Sequence, residues 1–174
     1  MMTKITLIVL TITGLLVVNM TTKKTLTQED YATLRRLAYG EAAGAGYDTM
    51  KMVVQSAVNR LRSGRKEKGF RGSLQKIAEE GYYAVKNKNK SYMQALEGNF
   101  NDPISKKAWQ EADRAVRDVI DNRDFGNVMF YFTPEEIPVV TKQGFDFTQV
   151  KPVGKQGNYQ LFAYPFSSHY QRGE

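Results

Sequence analysis

The most constraining stretch of this chain is Leu37-Ala38-Tyr39-Gly40-Glu41-Ala42-Ala43-Gly44-Ala45-Gly46-Tyr47-Asp48, where an amphipathic helix carrying one acidic residue runs out into glycine. Upstream, Tyr31, Leu34 and Ala38 recur at helical spacing. At about 100° per residue Glu41 projects between Leu34 and Leu37 on the same apolar stripe. A carboxylate on that stripe points inward. Loss of water around it favours the neutral acid, and the negative end of the helix dipole, reached just before Gly44, acts in the same direction. Glu41 is therefore expected to hold its proton to a higher pH than an exposed glutamate. The same residues also suit a helix-terminal glutamate standing partly in water beside an open glycine loop, and the pattern alone leaves both readings in place.

An acid that stays protonated near neutral pH is what general acid catalysis needs, and glycoside cleavage is the reaction class most often run this way. Composition removes several competitors. With no cysteine and one histidine, His169, the chain has no disulfide framework, no thiol nucleophile and too few ligands for a Cys/His zinc site. A Ser-His pair would have to be built from His169 with Ser167 or Ser168, close to the C-terminus. No metal or cofactor is expected. The formal charge of +7 favours polyanionic surroundings, for which a bacterial wall and a nucleic acid both qualify. Lysines and arginines gather at Arg60, Arg62, Arg65, Lys66, Lys68 and Arg71 and again at Lys86, Lys88 and Lys90, in stretches that read as solvated loops.

Residues 1–22 carry one early cation, Lys4, then an almost wholly apolar or threonine run over 5–18. This reads as a signal peptide or an N-terminal membrane anchor. The run is shorter than the ~20 residues a spanning helix prefers, yet no small-x-small cleavage site follows it. A cleaved leader and an inner-membrane tether through residues 5–18 both fit. One domain of 27–174 is expected behind it, since the chain is long enough for one ordinary core.

Thr27 reads as the cap of the helix that ends at Glu41, with Glu29 and Asp30 in its first turn. Asp48 or a neighbour is expected to cap a second helix with Met50, Val53, Val54, Ala57, Val58 and Leu61 on its apolar face, stopped at Ser63-Gly64. Arg60 lies at the edge of that face, within reach of a cleft, and Asn59 projects roughly opposite. Ser73 caps a short helix ended by Gly81; Lys86–Lys90 is expected to be a mobile loop, with a helical turn over Ser91–Leu96. Asn101-Asp102-Pro103 starts a long helix burying Ile104, Ala108, Ala112, Ala115, Val116, Val119 and Ile120. Val128–Phe132 reads as a strand closed by Thr133-Pro134. Phe145–Val153 and Tyr159–Tyr164 form a hairpin about Gly154–Asn158.

Leu37–Gly46, followed by Val53-Val54-Gln55-Ser56-Ala57-Val58-Asn59-Arg60-Leu61-Arg62-Ser63-Gly64, resembles the signature of the spore cortex-lytic family of cell wall hydrolases, with its Tyr-Gly-Glu-Ala core and its apolar helix ending in Asn-Arg. The resemblance implies that Glu41 is the catalytic acid and that the substrate is the glycan strand of peptidoglycan, with no nucleic acid as partner. It places Tyr82 and Tyr83 beside the substrate groove, where Glu80-Gly81-Tyr82-Tyr83-Ala84 stands for a glutamine-rich loop. Such rings either stack on sugars or simply pack. It sets Tyr131 and Thr133 on a strand opposite the acid, and at the C-terminal hairpin Asn158 stands where the family has histidine. The expected architecture is α+β and lysozyme-like, mainly helical, with a small antiparallel sheet as one wall. The expected activity is that of a lytic transglycosylase cutting between N-acetylmuramic acid and N-acetylglucosamine. The rival readings are a hydrolytic muramidase, whose second carboxylate would be sought first at Glu80 and Glu135, and a non-catalytic basic binding protein, anchored to a membrane or carried on a virion.

Overall fold

The computed structural model describes residues 26–165. The leader expected over 1–22 and the Ser167, Ser168 and His169 group lie outside the described residues. Among the described residues no helix is long and apolar enough to cross a membrane.

Thr27 opens α1 (Gln28–Ala42) through a reciprocal cap. Its hydroxyl accepts the Asp30 N–H, and the Asp30 carboxylate accepts the Thr27 N–H at 2.8 Å. Leu34, Leu37 and Ala38 are buried on one stripe. The chain then turns through Gly46, whose φ of 82° lies in the left-handed region open to glycine, into α2 (Tyr47–Arg62). Gly46 is the N-cap and contributes no side-chain bond. Of the residues expected there, Asp48 or a neighbour, it is the nearby Gly46 that caps, and Asp48 lies in the first turn, where its charge suits the positive helix end.

α1 and α2 pack on each other and on α6 (Pro103–Ile120), which Asp102 caps by accepting the Ser105 N–H at 2.8 Å. Ala108, Ala112, Ala115, Val116 and Val119 face the other helices. Ile104, expected in that face, is 80% exposed, because it sits in the first turn beyond the reach of α1 and α2. Three short helices, α3 (Leu74–Gly81), α4 (Tyr83–Lys86) and α5 (Lys90–Glu97), cover another side of α1. The stretch expected as a mobile loop over Lys86–Lys90 is tied down. Asn89 caps α5 through Tyr92 N–H, and its Nδ2 donates to the Gly40 carbonyl of α1 at 2.9 Å. Gly40 permits this approach: a Cβ there would lie 2.9 Å from the Tyr92 Cβ and 3.2 Å from the Ala84 Cβ.

The remaining chain forms a three-stranded antiparallel sheet in the order β1-β3-β2, with β1 at Phe130–Phe132, β2 at Lys151–Gln156 and β3 at Tyr159–Ala163. The fold is thus α+β, mostly helical with a small antiparallel sheet. The hairpin turn is narrower than the sequence suggested. Gly154 lies inside β2 beside a register shift, and Gly157, at a φ of 54°, begins a two-residue turn with Asn158. Between β1 and β2 stand α7 (Glu136–Lys142) and a 3-10 turn at Phe147–Gln149, where a strand from Phe145 was expected.

Side chains alternate along β1. Phe130 and Phe132 join an aromatic cluster with Phe145, Phe147 and Phe162, whereas Tyr131 turns to the other face and packs against the helical core. The sheet is thereby held on one face by its own aromatics and on the other by α1 and α2.

Candidate functional site

Glu41 sits in the last turn of α1, half-buried. Two donors grip its carboxylate. The Ala84 N–H reaches Oε1 at 2.6 Å, and the Tyr131 hydroxyl reaches Oε2 at 3.3 Å. Ala84 lies in the first turn of α4, where backbone N–H groups have no partner inside the helix and are free to bind an anion or a carboxylate. The donor is backbone, so nothing in the identity of residue 84 announces it.

Burial raises the Glu41 pKa above 4.5, and the charge of Glu136 adds to the rise. The Ala84 N–H, the Tyr131 hydroxyl and the charge of Arg60 act the other way without cancelling it. Burial first, and then the Glu41 charge, push the Tyr131 phenol well above the ordinary tyrosine value, so Tyr131 remains a donor at any working pH.

The wall opposite Glu41 is held by α2. Gln55 Nε2 donates to the Asp124 carbonyl at 2.9 Å, Ser56 Oγ to Met129 O at 2.6 Å, Asn59 Nδ2 to Phe125 O at 2.8 Å and Val128 O at 3.0 Å, and Arg60 Nε to Met129 O at 2.9 Å. Four side chains of one helix thus fix the segment that leads into β1 and delivers Tyr131 to Glu41. The helical wheel had turned Asn59 away from any such role. It is buried because residues 124–129 cross α2 on the side the wheel left to solvent.

Two residues expected to touch substrate are placed otherwise. Arg60 is only 7% exposed. Its guanidinium bonds Met129 O and, at 3.3 Å, Gly81 O, and lies over the rings of Tyr82 at 4.6 Å and Phe130 at 4.9 Å. It positions the wall and tunes Glu41 through its charge. Tyr82 is 2% exposed, packed in the helical core with its hydroxyl 2.9 Å from Ser56 Oγ, and has no ring face free for a sugar. Tyr83, next in the chain, is 71% exposed and offers one beside Ala84.

Thr133 is half-buried beyond the end of β1 and forms a reciprocal pair with Glu136. The Thr133 N–H donates to Glu136 Oε2 at 2.8 Å, and the Glu136 N–H donates to Thr133 Oγ1 at 3.3 Å. Thr133-x-x-Glu136 is a capping-box spacing, the signal by which α7 and the placement of Glu136 were open to reading. Tyr159, at the start of β3, was also missed; its ring stands edge-on to Tyr131 at 5.6 Å.

Glu80 and Glu135 do not supply a second carboxylate at Glu41. Glu80 accepts the Gly69 N–H at 2.8 Å, which with Arg71 holds its carboxyl below the usual value, and so it pins the basic loop. Glu135 is exposed at the entry to α7. Glu136 is the carboxylate whose charge is felt at Glu41.

Fold and site together define an α+β protein that presents one half-buried acid where a helix end meets a sheet. Comparisons with protein-family models, curated proteins and solved structures return no match.

Proposed function

We propose that this chain cleaves the glycan strands of peptidoglycan between N-acetylmuramic acid and N-acetylglucosamine as a lytic transglycosylase on a lysozyme-like scaffold, with Glu41 as its single acid/base. The observation that carries this reading is the setting of Glu41, a carboxyl raised in pKa by burial yet held in one orientation by the Ala84 N–H and the Tyr131 hydroxyl. In the lytic route Glu41 protonates the glycosidic oxygen as the bond to the anomeric carbon breaks. Its carboxylate then takes the proton of the muramic 6-hydroxyl as that oxygen closes onto the same carbon. The Ala84 and Tyr131 donors steady the carboxylate between the two steps. The leader over residues 1–22 would carry the domain to the periplasm or cell envelope, and the charge of +7 suits an anionic wall.

Mass spectrometry of fragments released from purified peptidoglycan tests the mechanism. The lytic route leaves 1,6-anhydro muramic ends that weigh one water less than hydrolysis products and resist borohydride. Glu41→Gln should lower the rate ~10²- to 10⁴-fold, the usual worth of general acid/base assistance, and clearing of a wall suspension within a few-fold of wild type would sink the assignment. Reducing ends alone would favour a hydrolytic muramidase, for which Glu136 is the second carboxylate to test.

A further inference from the structure

A cavity of about 450 Å³ opens between the first half of α1 and the second half of α6, and none of the residues lining it holds Glu41 or either of its donors. The size suits a small molecule, for which roughly 300–1,000 Å³ is usual. Two polar rungs join the helices across it. Arg35 Nη1 donates to Asp113 Oδ1 at 2.9 Å, and the Tyr31 hydroxyl donates to Asp121 Oδ1 at 2.8 Å. Ala32 of α1 and Val116 of α6 line the space as well, and their short side chains leave it unfilled.

The two rungs differ in charge. At the first, two guanidiniums share one carboxylate: Arg117 Nε donates to Asp113 Oδ2 at 2.8 Å while Arg35 holds the other oxygen, which leaves one positive charge in excess. Arg35 lies over the Trp109 ring at 4.4 Å, and its Nε is buried with no acceptor. A buried donor without a partner calls for an explanation, and each arginine spends only one nitrogen on Asp113, so donors remain for a second oxyanion. At the other rung the Asp121 carboxylate accepts from the Tyr31 hydroxyl, and no ion pair among the described residues includes it. Surplus positive charge and an unpaired carboxylate thus line one cavity, set roughly 12 Å apart along α6. A simple anion would satisfy the arginines and be repelled by Asp121. A ligand that carries both charges answers both ends.

We infer that this cavity binds a short zwitterionic peptide, with a carboxylate on Arg35 and Arg117 and an ammonium group on Asp121. An extended peptide of about two or three residues spans roughly 7–10 Å, which with the reach of the side chains at each end fits the separation of the two rungs. The aliphatic body of the peptide lies along Ala32 and Val116. Free peptides have this chemistry, and so do wall peptide stems that end in a diamino acid. The site stands apart from the reading of Glu41, with which it shares no residue.

Calorimetric titration of the full chain tests this with trialanine, with N-acetyl-trialanine, which lacks the ammonium, with trialanine amide, which lacks the carboxylate, and with an N-acetylmuramyl tripeptide ending in lysine. Each blocked form should bind about tenfold or more weakly than trialanine, the scale of one lost charge-assisted bond. Asp121→Asn keeps an acceptor for Tyr31 and removes the charge. It should weaken trialanine about tenfold and leave N-acetyl-trialanine as it was, a selectivity that a merely structural role would not produce. Arg117→Gln is the mirror variant, expected to weaken trialanine and leave trialanine amide as it was. Both residues are exposed, and an unchanged circular dichroism spectrum checks that the variants fold. Binding of trialanine assigns the site to free peptides; binding of the muramyl tripeptide alone, weakened by Asp121→Asn, assigns it to wall stems, and either upholds it. Failure of both to bind, blocked forms that bind as well as trialanine, or folded Asp121→Asn and Arg117→Gln variants of unaltered affinity would each overturn it.

Discussion

A glutamate that must first give up a proton and then take one back needs a pKa above that of an exposed carboxyl and a fixed direction in space. At Glu41 these come from opposed sources: burial raises the pKa, and the two donors that fix the direction lower it. Tyr131→Phe removes one of the donors while leaving the ring. The Glu41 pKa should then rise further, and the alkaline limb of the pH–rate profile, where the acid loses its proton, should move to higher pH. A profile that stays put or moves down would separate Tyr131 from the acid. The same residue governs stability. Glu41 binds its proton more tightly folded than unfolded, so its neutral form contributes stability fully below pH 4.5 and that contribution is lost as pH rises through the raised folded value. Glutamine cannot ionise. Glu41→Gln should therefore match wild type in thermal melting near pH 4 and melt higher than wild type near pH 8, a crossover readable by calorimetry.

At the scale of elements, the acid is held by the way short helices crowd α1. Gly40 immediately precedes Glu41, and its missing side chain lets α4 and α5 close to within Cβ contact distance of α1. The Ala84 N–H reaches Glu41 only because of this. Gly40→Ala would place a methyl against the Tyr92 and Ala84 Cβ atoms, neither of which has a flexible end to swing away. Overpacking of this kind is worth about 1–3 kcal/mol, and denaturant unfolding should register it. Activity should fall further than stability, because the displaced element is the one that carries the donor. Elements with strong local signals were legible in sequence: the Thr27, Ser73 and Asp102 caps, the apolar periods of α1 and α2, and the alternation that turned Tyr131 away from Phe130 and Phe132. Helix α7 was not seen, because Pro134 and Pro138 masked a capping pair between Thr133 and Glu136.

Across the whole molecule the positive charge is unevenly used. Arg60 is turned inward onto carbonyls and rings, Arg62 lies over Phe125 at 4.0 Å and Arg65 over Tyr164 at 3.6 Å. Lys66, Lys68, Arg71, Lys86, Lys88 and Lys90 remain exposed around α3 and the ends of α4 and α5, the short helices that include the Ala84 donor. Attraction to an anionic wall through these groups is screened within about 8 Å at ~0.15 M salt. Sedimentation with insoluble wall should therefore weaken steeply between low and physiological salt, while turnover of short soluble fragments changes little. Tight binding of duplex DNA under the same conditions, with indifference to wall, would favour a nucleic-acid partner instead.

Order along the chain followed from the sequence alone, because helix period, capping chemistry and glycine punctuation act over a few neighbouring residues, whereas the inward direction of Glu41 was one of two readings the same pattern left in place. What only the tertiary structure decided was which polar groups face one another. Asn59 and Arg60 carry the same helical angles in either case, but the crossing of residues 124–129 over α2 turned one from an exposed residue into a buried anchor and the other from a cleft residue into a support. Tyr82 and Tyr83 are adjacent and chemically alike, yet the tight turn between α3 and α4 buries the first and exposes the second. Partners separated by 43 and 90 positions, Ala84 and Tyr131, meet Glu41 through contacts whose geometry depends on every packed element between them, and no local pattern in the chain encodes that distance.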